Sequence, residues 1–146
     1  MNTGWVVGML VGMIWLENAG FQSPSLKNTL AAKRDHRRVL VIYSRESSQQ
    51  ELDAQQKAFQ AEKTGLAERD LDVIVLTDAK LPETDRRFLM QNPFNLSPAT
   101  GFKGWLIGKD GGVKHAFTKP VDSGELFRII DSMPMRQAEM SKGKKS

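Results

Sequence analysis

Five polar residues, Ser44-Arg45-Glu46-Ser47-Ser48, follow directly on the apolar run Val39-Leu40-Val41-Ile42-Tyr43. Three hydroxyls, a guanidinium and a carboxylate in one loop are groups that can act as nucleophile, anion holder or polar recognition surface. A serine becomes a nucleophile only with a base in hydrogen-bond reach. The chain has two histidines, His36 and His115. His36 precedes the apolar run, which puts it at the other end of that strand from the loop. His115 alternates with Val113 and Phe117 in a separate strand-like segment. No catalytic residue is therefore expected in this loop.

Redox and metal chemistry are narrowed in the same way. The sequence contains no cysteine, so it supplies no thiolate nucleophile, no disulfide and no cysteine-ligated zinc or iron–sulfur site. Two isolated histidines are also a poor zinc set, which wants clustered ligands. No metal and no cofactor are expected. Asp110-Gly111-Gly112 lacks the Lys-Ser/Thr ending of a phosphate loop and opens a strand rather than a helix, so it reads as a turn. Arg45 and the pair Arg86-Arg87 could meet an anion at a helix start, against the plainer reading of a solvated helix face. The basic run Lys33 to Arg38 has the same two readings, acidic lipid head groups or a solvated segment before a strand.

The elements that must position these groups fit one domain of 146 residues. Hydrophobic residues at 40% and charged residues at 26% mark a globular chain. Lys142, Lys144 and Lys145 supply most of the net charge of +4 and leave the body near neutrality. A basic face for nucleic acid is therefore not expected. Trp5 to Leu16 is an uncharged 12-residue apolar run, too short to cross a bilayer, where about 20 residues are needed. It has the length of a signal-peptide core. Residues 1–20 are read as a signal peptide or hydrophobic anchor, 21–36 as a polar linker, 37–134 as the domain and 135–146 as a charged flexible tail. Export to the periplasm or outside, or membrane attachment through that run, is the expected location.

Within the domain, Val39 to Tyr43 is a strand covered on both faces. A helix follows from about Ser48 to Lys63 with Leu52 and Phe59 inward, and Gly65 reads as its terminator. Leu71 to Thr77 is a second strand, completing a βαβ unit. Pro82 opens a helix running to about Gln91. Asn92 to Gly104 is a long connection, and Trp105–Lys109 and Gly112–Phe117 form a hairpin on a two-residue Asp110-Gly111 turn. Asp122 and Glu125 form a capping box for a helix with Leu126, Ile129, Ile130 and Met133 on one stripe, and Pro134 stops it.

That order, β-α-β-α-β-β-α, predicts an α/β thioredoxin-like fold with a mixed sheet and helices on both faces. The loop at 44–48 and the segment 97–104 would then meet at the carboxyl edge of the sheet. Ser44, Arg45, Glu46, Ser47, Lys103 and Gly104 are the candidate surface site. A cis-proline immediately before the third strand, which such folds use, is not evident, since Phe102-Lys103-Gly104 stands there.

The stretch Gly104 to Met140, with its GKDGG hairpin, PV-x-x-x-x-LF helix start and ID-x-MPMR-x-x-EM ending, resembles the domain-of-unknown-function 4174 family. RVLVIYS and GLAERDLDVIVL resemble it more loosely, and the likeness spans about Leu30 to Met140. It implies a thioredoxin- or peroxiredoxin-like fold, with relatives among small bacterial proteins and sushi-repeat extracellular-matrix proteins. It implies no reaction, because fold does not fix function. The function expected is a non-catalytic binding or interaction module at the cell envelope, with an unknown protein or peptide as partner. The alternative is an oxidoreductase-like enzyme with a non-thiol mechanism or a recruited cofactor.

Overall fold

The computed structural model describes residues 23–145. The apolar run Trp5–Leu16 lies outside them. A helix α1 (Leu26–Lys33) leads into β1 (Arg38–Ser44), and a 3-10 turn at Glu46–Ser48 opens α2 (Gln49–Gln60). Then come α3 (Lys63–Glu68), β2 (Leu71–Thr77), a second 3-10 turn at Asp78–Lys80, α4 (Glu83–Met90), β3 (Phe102–Ile107) and β4 (Val113–Phe117). Two helices, α5 (Ser123–Asp131) and α6 (Pro134–Lys145), close the chain.

The four strands lie in the order β2-β1-β3-β4. β1 runs parallel to β2 and antiparallel to β3, and β3 is antiparallel to β4. All seven residues of β1 are buried, as the unbroken aliphatic run requires of a strand covered on both faces. Alternation then divides its side chains. Val39, Val41 and Tyr43 join Leu26, Leu89, Phe94 and Trp105 in one core. Leu40 and Ile42 join Leu52, Phe59, Leu106, Leu126 and Ile130 in the other. Gln55, itself buried, ties the second layer together by donating to the Val121 carbonyl at 2.9 Å and accepting from its N–H at 2.7 Å.

Several sequence expectations need correction. Residues 21–36 are not simply a linker, because Leu26 of α1 enters the core and its N–H donates to buried Asp85 at 3.0 Å. Gly65 does not end a helix. It lies inside α3, where Phe127 packs so closely that a β-carbon would come within 2.5 Å of its ring. The hairpin turn is longer than two residues. It runs from Gly108 to Gly112, is closed by Gly108 N–H to the Gly112 carbonyl at 2.9 Å, and follows a bulge at Leu106/Ile107. Only Gly111, at φ 87°, needs the left-handed region. Pro134 starts a helix rather than ending the domain, so the supposed flexible tail is α6.

Opposite charges gather at the amino end of β1. Arg37 and Lys33 hold Asp72, Arg69 and Arg136 hold Asp131, and Arg38 and Lys109 hold Glu139. Burial pushes each of these three carboxyls upward, but the hydrogen bonds and charges of their cationic partners outweigh it and hold all three below their ordinary values. A depressed folded value contributes stability above the ordinary carboxyl range and loses it as pH falls through the lower value. Stability should therefore fall below about pH 4. Because the acids are partly exposed, each pair should contribute about 1 kcal/mol or less. Urea unfolding at stepped pH checks this, and a profile still level down to pH 3 would contradict it.

Candidate functional site

At the carboxyl end of β1 the polar loop does come to lie beside the segment before β3. The Arg45 N–H donates to the Gly101 carbonyl at 2.8 Å, and Arg45 Nη2 donates to the Pro98 carbonyl at 2.6 Å. Gly101 makes the approach possible. A β-carbon there would stand 2.4 Å from Ser48 Oγ and 4.0 Å from Ser47 Oγ.

Behind the loop stands a brace of four side chains. Tyr43, fully buried, donates its hydroxyl to Asp78 Oδ1 at 2.6 Å and accepts from Arg45 Nε at 3.1 Å. Arg86 of α4 donates to the same Asp78 oxygen and, at 3.2 Å, to the Asp78 carbonyl. Tyr43 of β1 and Arg86 of α4 thus share one acceptor on the turn after β2, and Arg45 of the loop joins them through the Tyr43 hydroxyl. The Tyr43 hydrogen bond first, then that of Arg86, holds the Asp78 carboxyl below its ordinary value. Burial, helped by the Asp78 contact and opposed by Arg45, pushes the Tyr43 phenol up. At neutral pH the pair is a neutral phenol donating to a carboxylate.

The six candidate residues divide. Arg45 is partly exposed and is the tie between the two walls; Glu46 and Ser47 are exposed beside it. Ser44 is buried, and its hydroxyl donates to the Arg45 carbonyl at 3.1 Å and lies 3.3 Å from that of Ser48. It shapes the loop rather than presenting a surface. Lys103 and Gly104 lie within β3, paired with Tyr43 and Ile42, because the strand starts three residues earlier than the apolar pattern suggests. Lys103 is drawn over the Trp105 ring and donates to the Phe94 carbonyl at 3.3 Å. Gly104 is buried, with Phe117 over the space a side chain would need. Neither Ser44 nor Gly104 is a surface residue.

The two histidines stand apart from the loop, His36 exposed before β1 and His115 on β4 opposite Leu106. Among the described residues, no three His, Cys, Asp or Glu side chains converge to hold a metal ion. Among the described residues one cis peptide bond occurs, Asn92–Pro93, just after α4 rather than directly before β3.

The brace was not foreseen from sequence, although a tyrosine ending an aliphatic strand and an acid just after the next strand were its signals. Arg86, read as a solvated cation or anion holder, is committed to Asp78, whereas Arg87 stays exposed.

The model of the domain of unknown function 4174 matches residues 29–139. The chain belongs to that family. Among solved structures, it is similar to the reduced 2-Cys peroxiredoxin of Plasmodium vivax at a TM-score of 0.56 and 14% identity. That match covers 75% of this chain and 72% of the peroxiredoxin. It is also similar to a DsbF homologue from Corynebacterium diphtheriae at a TM-score of 0.48 and 15% identity, over 71% of this chain and 76% of that one. No curated protein matches it. At such identity the likeness speaks for the fold alone, and that fold is the α/β thioredoxin-like one expected from element order.

Replacing Tyr43 by Phe removes one partner from Asp78 and one from Arg45. The domain should lose about 1 kcal/mol in urea unfolding. Hydrogen exchange at the Arg45 N–H should quicken relative to the centre of β1. Unchanged exchange there would show that Tyr43 does not position the loop.

Proposed function

We propose that this domain is a non-catalytic binding module, exported or membrane-tethered, that takes a protein or peptide segment at the carboxyl edge of its sheet. The observation that carries the reading is the Arg45 tie, which fixes two walls against each other while Glu46 and Ser47 on one wall, and Ser97 to Ala99 on the other, stay exposed. Binding sites favour loops held by a rigid scaffold. Here the scaffold is the buried strand and the brace behind it. The same place offers no thiol, and its hydroxyls have no histidine beside them. Polar recognition is what its groups can do.

Glu46→Arg combined with Ser47→Tyr should block this rim while leaving the core untouched, since both side chains are exposed. Partners captured by crosslinking to the native protein should be depleted about tenfold with the variant, a loss of about 1.4 kcal/mol. An unaltered partner set, with circular dichroism showing a folded variant, would remove the edge from consideration. The location is tested separately. Mass spectrometry of the mature amino terminus should find it near Phe21 if the apolar run is cleaved on export, whereas an intact Met1 in the soluble cytoplasmic fraction would refute export and anchoring together.

A further inference from the structure

The sheet has two edges, and they are guarded differently. β4 is five residues long, lies against the bulge at Leu106/Ile107 and carries Lys114, which pairs with Asp110 at 2.6 Å. A short strand, a bulge and a lysine are features that keep an edge from pairing with another chain. β2, at the other edge, has none of them. It is a seven-residue strand, LDVIVLT, in unbroken register with β1.

That register fixes which backbone groups of β2 are spare. The Arg38 N–H donates to the Asp70 carbonyl at 2.8 Å, and Arg38 lies opposite Leu71. In a parallel pair this phase turns the N–H and C=O of Asp72, Ile74 and Leu76 toward β1, and those of Val73 and Val75 outward. None of the described residues hydrogen-bonds to these outward groups. The side chains along the edge are apolar and only partly covered. Val73 and Val75 pack on one core, Ile74 and Leu76 on the other.

The single charge of the strand selects among possible pairings. Asp72 is already held by Lys33 and Arg37, at 2.7 and 2.8 Å. An antiparallel copy of β2 centred on Ile74 sets Val73 opposite Val75, Leu71 opposite Thr77, and Ile74 opposite itself. Asp72 then faces Leu76, whereas centring on Asp72 would set two carboxylates face to face, which is unfavourable. The arrangement centred on Ile74 also closes. A strand from an unrelated protein would bring a new edge with it. A second copy uses up both β2 edges and leaves only the guarded β4 strands outermost.

We infer that the chain forms a two-fold dimer in which β2 pairs antiparallel with β2 of a second copy, joining two four-stranded sheets into one. Because the paired strands run in opposite directions, the two binding rims lie at opposite ends of the joined sheet. The pairing does not depend on what the rims bind.

The test uses the full chain. Sedimentation equilibrium should give twice the mass of one chain. With no native cysteine, single replacements report the register. Ile74→Cys sits on the two-fold axis in a close, non-hydrogen-bonded pair and should form an intermolecular disulfide on mild oxidation. Leu76→Cys faces Asp72 of the other copy and should give at least tenfold less crosslinked dimer. Val75→Pro removes an outward N–H, which an edge strand tolerates, so circular dichroism should stay native while the mass falls to that of one chain. If that variant does not fold, Val75→Lys guards the edge in the same assay. A native chain that stays monomeric would overturn the inference. So would a dimer undiminished by the Val75 change, as expected if residues 5–16 held it together, or equal crosslinking through positions 74 and 76.

Discussion

Complete burial of β1 is the constraint on which the rest depends. A strand paired on both sides and covered on both faces has nowhere to put a polar group except at its ends. The two ends differ in how they meet that demand. At one, Arg38 enters the interior as a cation and needs a carboxylate delivered by a helix from the far end of the chain. At the other, Tyr43 and Ser44 are buried as neutral hydroxyls and are satisfied by the loop and turn around them. The charged end is the costlier solution, since desolvating an ion pair offsets much of its attraction. The neutral end leaves its neighbours free to form a surface.

That asymmetry explains why the candidate site is a rim rather than a pocket. The βαβ connection returns β2 beside β1, which sets Asp78 where the Tyr43 hydroxyl can reach it. Antiparallel pairing of β3 with β1 brings Gly101 alongside Arg45 without a long-range accident of packing. What the sheet supplies is placement. What the side chains supply is polar contact, with no cysteine in the chain and no histidine adjoining the loop.

Much of this was legible in the sequence because periodicity reports burial. The aliphatic runs marked β1 and β2, and Asp122 marked the start of α5, where its carboxylate accepts the Glu125 N–H. The hidden parts are those in which charge rather than apolarity does the holding. α6 shows little apolar stripe, so it reads as a tail, and only the three-dimensional position of Arg38 shows why it is helical and docked. β3 was misplaced by three residues because Phe102-Lys103-Gly104 mixes an apolar residue, a cation and a glycine. Trp105 and Phe94 supply the ring and the carbonyl that let the cation sit in a strand. At the site itself Arg45 is visible as a loop cation, but no local pattern connects it to the Pro98 and Gly101 carbonyls that it reaches in the segment before β3.

The buried ring of Tyr43 has a consequence for how the molecule would respond to change. Its body is packed with Trp105, Leu89 and Phe94, while its hydroxyl is shared by the residues that set the rim. Interiors are close-packed and transmit displacement rather than absorbing it. The tyrosine therefore acts as a rod between hydrophobic layer and surface, and the spacing of the two walls is calibrated from inside. Drift in the shape of the core would shift the spacing of the two walls without touching a single exposed residue.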